Sequence, residues 1–111
     1  MSIAEEKSGE VVVLRPEGMI HNEGARVLLE KIAEVIERGE RHLLLDFTDV
    51  RYINSSGLNA LIQTETKLAP AGGKLVLAGV SEPVHRILKI AGLTSTLKVF
   101  STKLEALASF A

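Results

Sequence analysis

The chain has 111 residues, enough to bury one core and too few for two. Thirteen Lys and Arg against fourteen Asp and Glu leave a formal charge of -1, without the basic excess of a dedicated nucleic-acid binder. Cysteine is absent, which excludes disulfides, thiolate metal sites and cysteine nucleophiles, and His21, His42 and His85 lack the spacing of a histidine metal site.

Hydrophobic residues make up 46% and charged residues 24%, the composition of an ordinary globular domain. No apolar run approaches the roughly 18–20 residues that span a bilayer. Met1 to Glu10 contains no apolar leader core. A cytoplasmic protein without membrane insertion is expected, with no cofactor.

Val11 to Leu14 is a β-branched run of strand length, and Ile3-Ala4, across the Ser8-Gly9 turn, can start a short partner strand. Pro16 to Gly24 reads as a loop. Ala25, Leu28, Leu29, Ile32 and Ile36 fall on one helical face, and Gly39 closes that helix. Leu43-Leu44-Leu45 is apolar on both faces, as in the centre of a parallel sheet. Asp46 ends this strand and can fix the next turn by accepting backbone N–H groups. Thr48 to Asn54 reads as a loop in which Tyr52 packs with a wet hydroxyl.

Leu58, Leu61, Ile62, Leu68 and Ala69 give a second helical face, broken at Pro70-Ala71-Gly72-Gly73. Gly72-Gly73-Lys74 lacks phosphate-loop spacing and precedes a strand, Lys74 to Ala78, so it reads as a simple turn. Ser81 can cap a third helix carrying Pro83, Val84, Ile87, Leu88 and Ala91, closed by Gly92. His85 on that helix and His42 before the central strand read as solvated. Leu97 to Phe100 is the last strand, and Ser101 or Thr102 caps a final helix with Leu104, Leu107 and Ala108. Strands alternating with helices predict a single α/β domain over 1–111. Its sheet has four to five strands, mixed but mostly parallel, with about four helices.

Sites in open α/β sheets form at the carboxyl ends of strands. Asn54-Ser55-Ser56-Gly57 lies at such a place, just before a helix. Capping of orphan N–H groups would explain these residues by itself. A hydroxyl at a helix start is also well placed to carry a phosphate. The free N–H groups and the positive dipole end tolerate an added charge of about -1.5 to -2. A partner packed flat on that hydroxyl would then be repelled. Ser55 or Ser56 as a hydrolase nucleophile would need His21 as base and Asp46 behind it. The Gly-x-Ser-x-Gly elbow is missing, and a non-enzymatic domain is expected.

The segment from Leu43 to Leu58, with its Leu-Asp-Phe-Thr-Asp-Val-Arg-Tyr-Ile-Asn-Ser-Ser-Gly-Leu core, resembles the signature of STAS domains, the anti-sigma-factor antagonists. Gly72 to Ala78, Ile87 to Leu93 and Leu14 to Gly18 match the same pattern, so the resemblance runs from about Glu10 to Leu107. It implies binding to an anti-sigma factor that is also a serine/threonine kinase. That kinase would phosphorylate the serine after the family's aspartate, here Ser55, with Ser56 as the neighbouring alternative. His21, Asn22, Asn54, Ser56, Gly57 and Asn59 would form the partner-binding surface. Two positions depart from the pattern: Asn54 replaces the aspartate before the phosphoserine, and His21 replaces an aspartate common in the earlier loop. Both remove negative charge. The alternative implied is a STAS scaffold or accessory module that binds its partner without being phosphorylated.

Overall fold

Leu43, Leu44 and Leu45 are all buried, so both faces of the strand that carries them are covered. The computed structural model describes residues 1–111. It builds β1 (Ser2–Ser8), β2 (Val11–Ile20), α1 (Asn22–Glu37), β3 (His42–Asp46), β4 (Val50–Ile53) and α2 (Ser55–Leu68). There follow β5 (Lys74–Ala78), α3 (Glu82–Ile90), β6 (Lys98–Phe100) and α4 (Lys103–Ala108). Strand order across the sheet is β1-β2-β3-β5-β6, with β4 paired to the far half of β2. Only the β1–β2 pair is antiparallel. No helix is long and apolar enough to cross a membrane.

The sheet is mixed and mostly parallel, as expected, and it has six strands. The addition is β4, in the stretch that reads as a loop. Likewise β2 continues through Pro16 to Ile20. It pairs with β3 over Val12–Leu14 and with β4 from Gly18 onward. Pro16 sits in the gap between those two ladders, where its missing N–H breaks no bond on that side. β1 is also longer than Ile3-Ala4 suggests, because each of its seven residues faces a residue of β2.

Helices α1, α2 and α3 cover one face of the sheet. Val12, Leu14, Leu43, Leu45, Leu75 and Leu77 point into that core, against Leu28, Ile32, Val35, Leu61, Val84 and Leu88. Val11, Val13, Leu44, Val76 and Ala78 point to the opposite face, where Ala106, Leu107 and Phe110 of the C-terminal segment cover them. Thr102 caps α4 with a reciprocal capping box to Glu105. His42 is half-buried rather than freely solvated: its ring lies 5.5 Å from that of Phe110, and the Lys74 ammonium stands 5.0 Å from the same ring. Ser81 occupies the N-cap position of α3, but its hydroxyl makes no capping bond and is buried without a partner.

The edge strand β1 is tied down by charge. Glu5 bonds Arg38 and stands 2.7 Å from Lys31, Lys7 stands 2.7 Å from Glu40, and Glu6 pairs with Lys103 of α4. Hydrogen bonds from Arg38 first, then Lys31, hold the Glu5 carboxyl below its ordinary value of 4.5. A carboxylate with a depressed pKa stabilises the fold above its unfolded-state value and stops doing so as pH falls through the folded one. Melting temperature is therefore expected to drop below about pH 4.5, and Glu5→Gln to flatten that acid limb. A thermal-melt series between pH 3 and 7 checks it. Burial pushes Glu65 on α2 the opposite way.

Candidate functional site

Two strand ends lie side by side and each runs directly into a helix. β2 ends at Ile20 and passes through His21 into α1; β4 ends at Ile53 and passes through Asn54 into α2. The backbone of Asn54 donates to the Ile20 carbonyl at 3.1 Å, which stitches the two exits together. Each helix has glycine as its third residue. A Cβ on Gly24 would stand 2.8 Å from the Met19 carbonyl oxygen. A Cβ on Gly57 would stand 2.4 Å from Ile53 Cγ1 and 2.8 Å from the Ile20 carbonyl oxygen. Both helix starts thus press onto the strand ends at a distance only glycine allows.

Asn54 is an extended N-cap whose side-chain oxygen accepts from the Ser56 N–H at 3.0 Å and the Gly57 N–H at 3.2 Å. The next N–H, of Leu58, goes to the Asn54 carbonyl at 2.9 Å. The first turn of α2 is therefore largely satisfied from within. Asn54→Ala removes both side-chain bonds and is expected to cost about 0.5–2 kcal/mol. Urea unfolding measures that loss. His21 holds the equivalent position on α1 but makes no side-chain capping bond.

The two serines differ sharply. The Ser56 hydroxyl donates to the Asn22 side-chain oxygen at 2.8 Å, joining the first turns of α2 and α1. The Ser55 hydroxyl, on the first residue of α2, is exposed and has no protein hydrogen-bond partner. Gly57 is buried, Asn59 is exposed one turn further along α2, and His21 and Asn22 are exposed on the α1 side. No acidic residue stands in the first turn of α2, and Glu23, in that of α1, is bound by Arg26. His21 makes no side-chain hydrogen bond to Ser55, Ser56 or Asp46. Ser56 bonds an amide, and the Asp46 carboxylate accepts from the Thr48 N–H at 3.0 Å, closing the turn after β3 as its position suggests.

Chain similarity now settles the family. Residues 2–106 match the STAS domain family. The chain belongs to the STAS domain family. This STAS domain is 33% identical over 82 residues to the anti-sigma-B factor antagonist of Bacillus subtilis, covering 74% of each chain. It is 25% identical to an anti-sigma factor antagonist from Mycobacterium paratuberculosis, whose crystal structure superposes with a TM-score of 0.89 over 97% of this chain and 92% of that one. The Bacillus cell fate determinant SpoIIAA in its phosphorylated form shares the fold, with a TM-score of 0.77 at 20% identity over 99% of this STAS domain and 100% of that chain.

One pair of side chains beside the site does not emerge from motif reading. Met19 and Tyr52 are neighbours across the β2–β4 ladder and both are exposed, at 53% and 46%. Tyr52 thus does not pack inward. Their signal is alternation: Ile20 and Ile53, the next residue of each strand, are buried. Large apolar side chains that face solvent next to a helix start suit a protein contact better than a small-molecule pocket.

Proposed function

We propose that this STAS domain is an anti-sigma-factor antagonist that acts in the cytoplasm without catalysing a reaction itself. Its partner is an anti-sigma factor with serine/threonine kinase activity, and Ser55 is the residue that kinase modifies. The observation that carries this reading is the contrast between the serines. Ser55 offers a free, exposed hydroxyl at the first turn of α2, whereas the Ser56 hydroxyl is engaged with Asn22. The relatives named as anti-sigma-factor antagonists support it.

In this reading the partner covers the start of α2 together with His21, Asn22, Asn54, Ser56, Gly57 and Asn59. A phosphate on Ser55 adds charge and bulk at the centre of that surface. The Asn54 side chain already fills the cap, so the phosphate stands on the rim of the helix start and leaves the fold unchanged. Binding is lost because a packed, partly desolvated contact meets a doubly charged group.

The test uses a serine/threonine kinase of the anti-sigma-factor class from the same cell. After incubation with ATP, peptide fragmentation is expected to place one phosphate on Ser55. Ser55→Asp is expected to weaken partner binding by tenfold or more with an unchanged melting temperature, and Ser55→Ala to bind but no longer switch. Phosphate on Ser56 instead would overturn the assignment. A second reading has its own observation: no carboxylate stands in the first turn of α2, and Asn54 and His21 occupy positions where the family pattern has aspartate. A STAS module that binds constitutively would show no phosphate and the same affinity with and without ATP.

A further inference from the structure

The free edge of the sheet at β6 lies on a strongly polarised part of the molecule. From Lys74 onward the chain carries five Lys and Arg but only two acids, Glu82 and Glu105, although acids outnumber bases in the whole chain. Elsewhere most cations are engaged: Lys7, Arg15, Arg26, Lys31 and Arg38 pair with Glu5, Glu23, Glu30, Glu34, Glu40 and Asp49, whereas from Lys74 onward only Lys103 has an acidic partner, Glu6. Arg86, Lys89 and Lys98 are exposed and make no ion pair. All three flank β6.

A groove of about 440 Å³ runs along that edge, lined by His85 of α3, by Thr94 and Thr96, and by Lys98 and Val99 of β6. β6 pairs with β5 on one side only. The Phe100 carbonyl accepts from Gly79 N–H at 3.2 Å, toward β5. Backbone groups alternate sides along a strand, so the N–H and C=O of Val99 face the open edge. Lys98 pairs with Val76 and shares its side of the sheet, under α4. Val99 faces the opposite side with His85, and Lys89 follows His85 by one helical turn on the same flank. The edge thus has free backbone groups at its centre and positive charge on both faces.

A single lysine on an edge strand guards against unwanted pairing. Free cations on both faces of one short strand, with a groove alongside, do more than guard. We propose that the β6 edge is a second docking surface, distinct from the start of α2, and that it takes an extended acidic segment of a partner protein as an added strand. Main-chain bonds to Val99 supply the register. Acidic side chains that alternate along the segment meet Lys98 on one face and His85 and Lys89 on the other.

The test is titration of the isotopically labelled full chain with the capped peptide Glu-Val-Glu-Glu-Val-Glu, followed by NMR. Saturable shifts are expected at Thr96 to Phe100, largest at the Val99 amide. Lys89→Glu combined with Lys98→Glu is expected to weaken binding at least tenfold, and Arg51→Glu, a free exposed cation elsewhere, to change nothing. The same peptide with alternate amides N-methylated is expected not to bind. Equal binding by the methylated peptide would reduce the effect to charge attraction and overturn the proposal. Shifts confined to other surfaces would overturn it too. So would concentration-dependent shifts at Ser2–Ser8 together with Thr96–Phe100 in the absence of peptide, which would give the edge to a second copy of the chain.

Discussion

Phe47→Ala is expected to remove about 3–5 kcal/mol of stability, the usual cost of emptying a large aromatic site. Phe47 is fully buried in the core between the sheet and helices α1–α3. Its backbone is held as firmly as its ring. The N–H donates to the Ala78 carbonyl at 2.8 Å and the carbonyl accepts from Val50 N–H at 2.9 Å, at the point where β4 begins. The ring therefore supports the short strand that delivers α2. Domains of this kind have a total stability of about 5–15 kcal/mol, so the loss is a large fraction of it. Urea unfolding should show a lower midpoint with an unchanged slope. Amide exchange in Val50–Ile53 should accelerate more than exchange in β3, since β4 has one strand neighbour and β3 has two.

Gly57→Val is expected to be the most damaging substitution at the candidate site. An added Cβ would lie 2.4 Å from Ile53 Cγ1 and 2.8 Å from the Ile20 carbonyl oxygen. The isoleucine can turn away, but the carbonyl cannot, because it accepts the Asn54 N–H that joins β4 to β2. Gly57→Ala is expected to cost about 1–3 kcal/mol, as overpacking usually does. Valine brings two further carbons to the same place and should exceed that range. Both variants should lose partner binding more steeply than stability alone explains, because relief of the clash requires the start of α2 to lift and carry Ser55 with it. Asn59→Ala, exposed on the same helix, should leave stability unchanged. Thermal melts and a binding titration on the three variants separate the two effects.

The parts of the fold that are legible in sequence are those whose cause is local. Leu43 to Leu45 announce a doubly covered strand by being apolar without interruption. The helices announce themselves by apolar spacing and by glycine at their ends. β4 does not, because its burial runs inward, outward, outward, inward over Val50, Arg51, Tyr52 and Ile53. The register shift against β2 at Gly18 and Met19 places an extra residue there and erases the two-residue alternation. β1 is polar apart from Ile3 and Ala4, and it is a strand because β2 and the cations Lys31, Arg38 and Lys103 hold it there.

The candidate site divides in the same way. Asn54 as cap and Gly57 as close contact follow from their neighbours in the chain. The bond between Ser56 and Asn22 spans 34 residues and exists only once two strand ends are brought together. That bond separates the two serines, so their difference in availability belongs to the tertiary structure.

The order of strands across the main sheet repeats their order along the chain, β4 apart. A chain leaving the ribosome can close the β1–β2 hairpin first, and each later strand then joins an edge already exposed. β3 adds to β2, β5 to β3 and β6 to β5, so no strand has to wedge itself between two that are already paired. Assembly can therefore keep pace with synthesis, and β6, the last of these strands to join, remains an outer edge of the sheet.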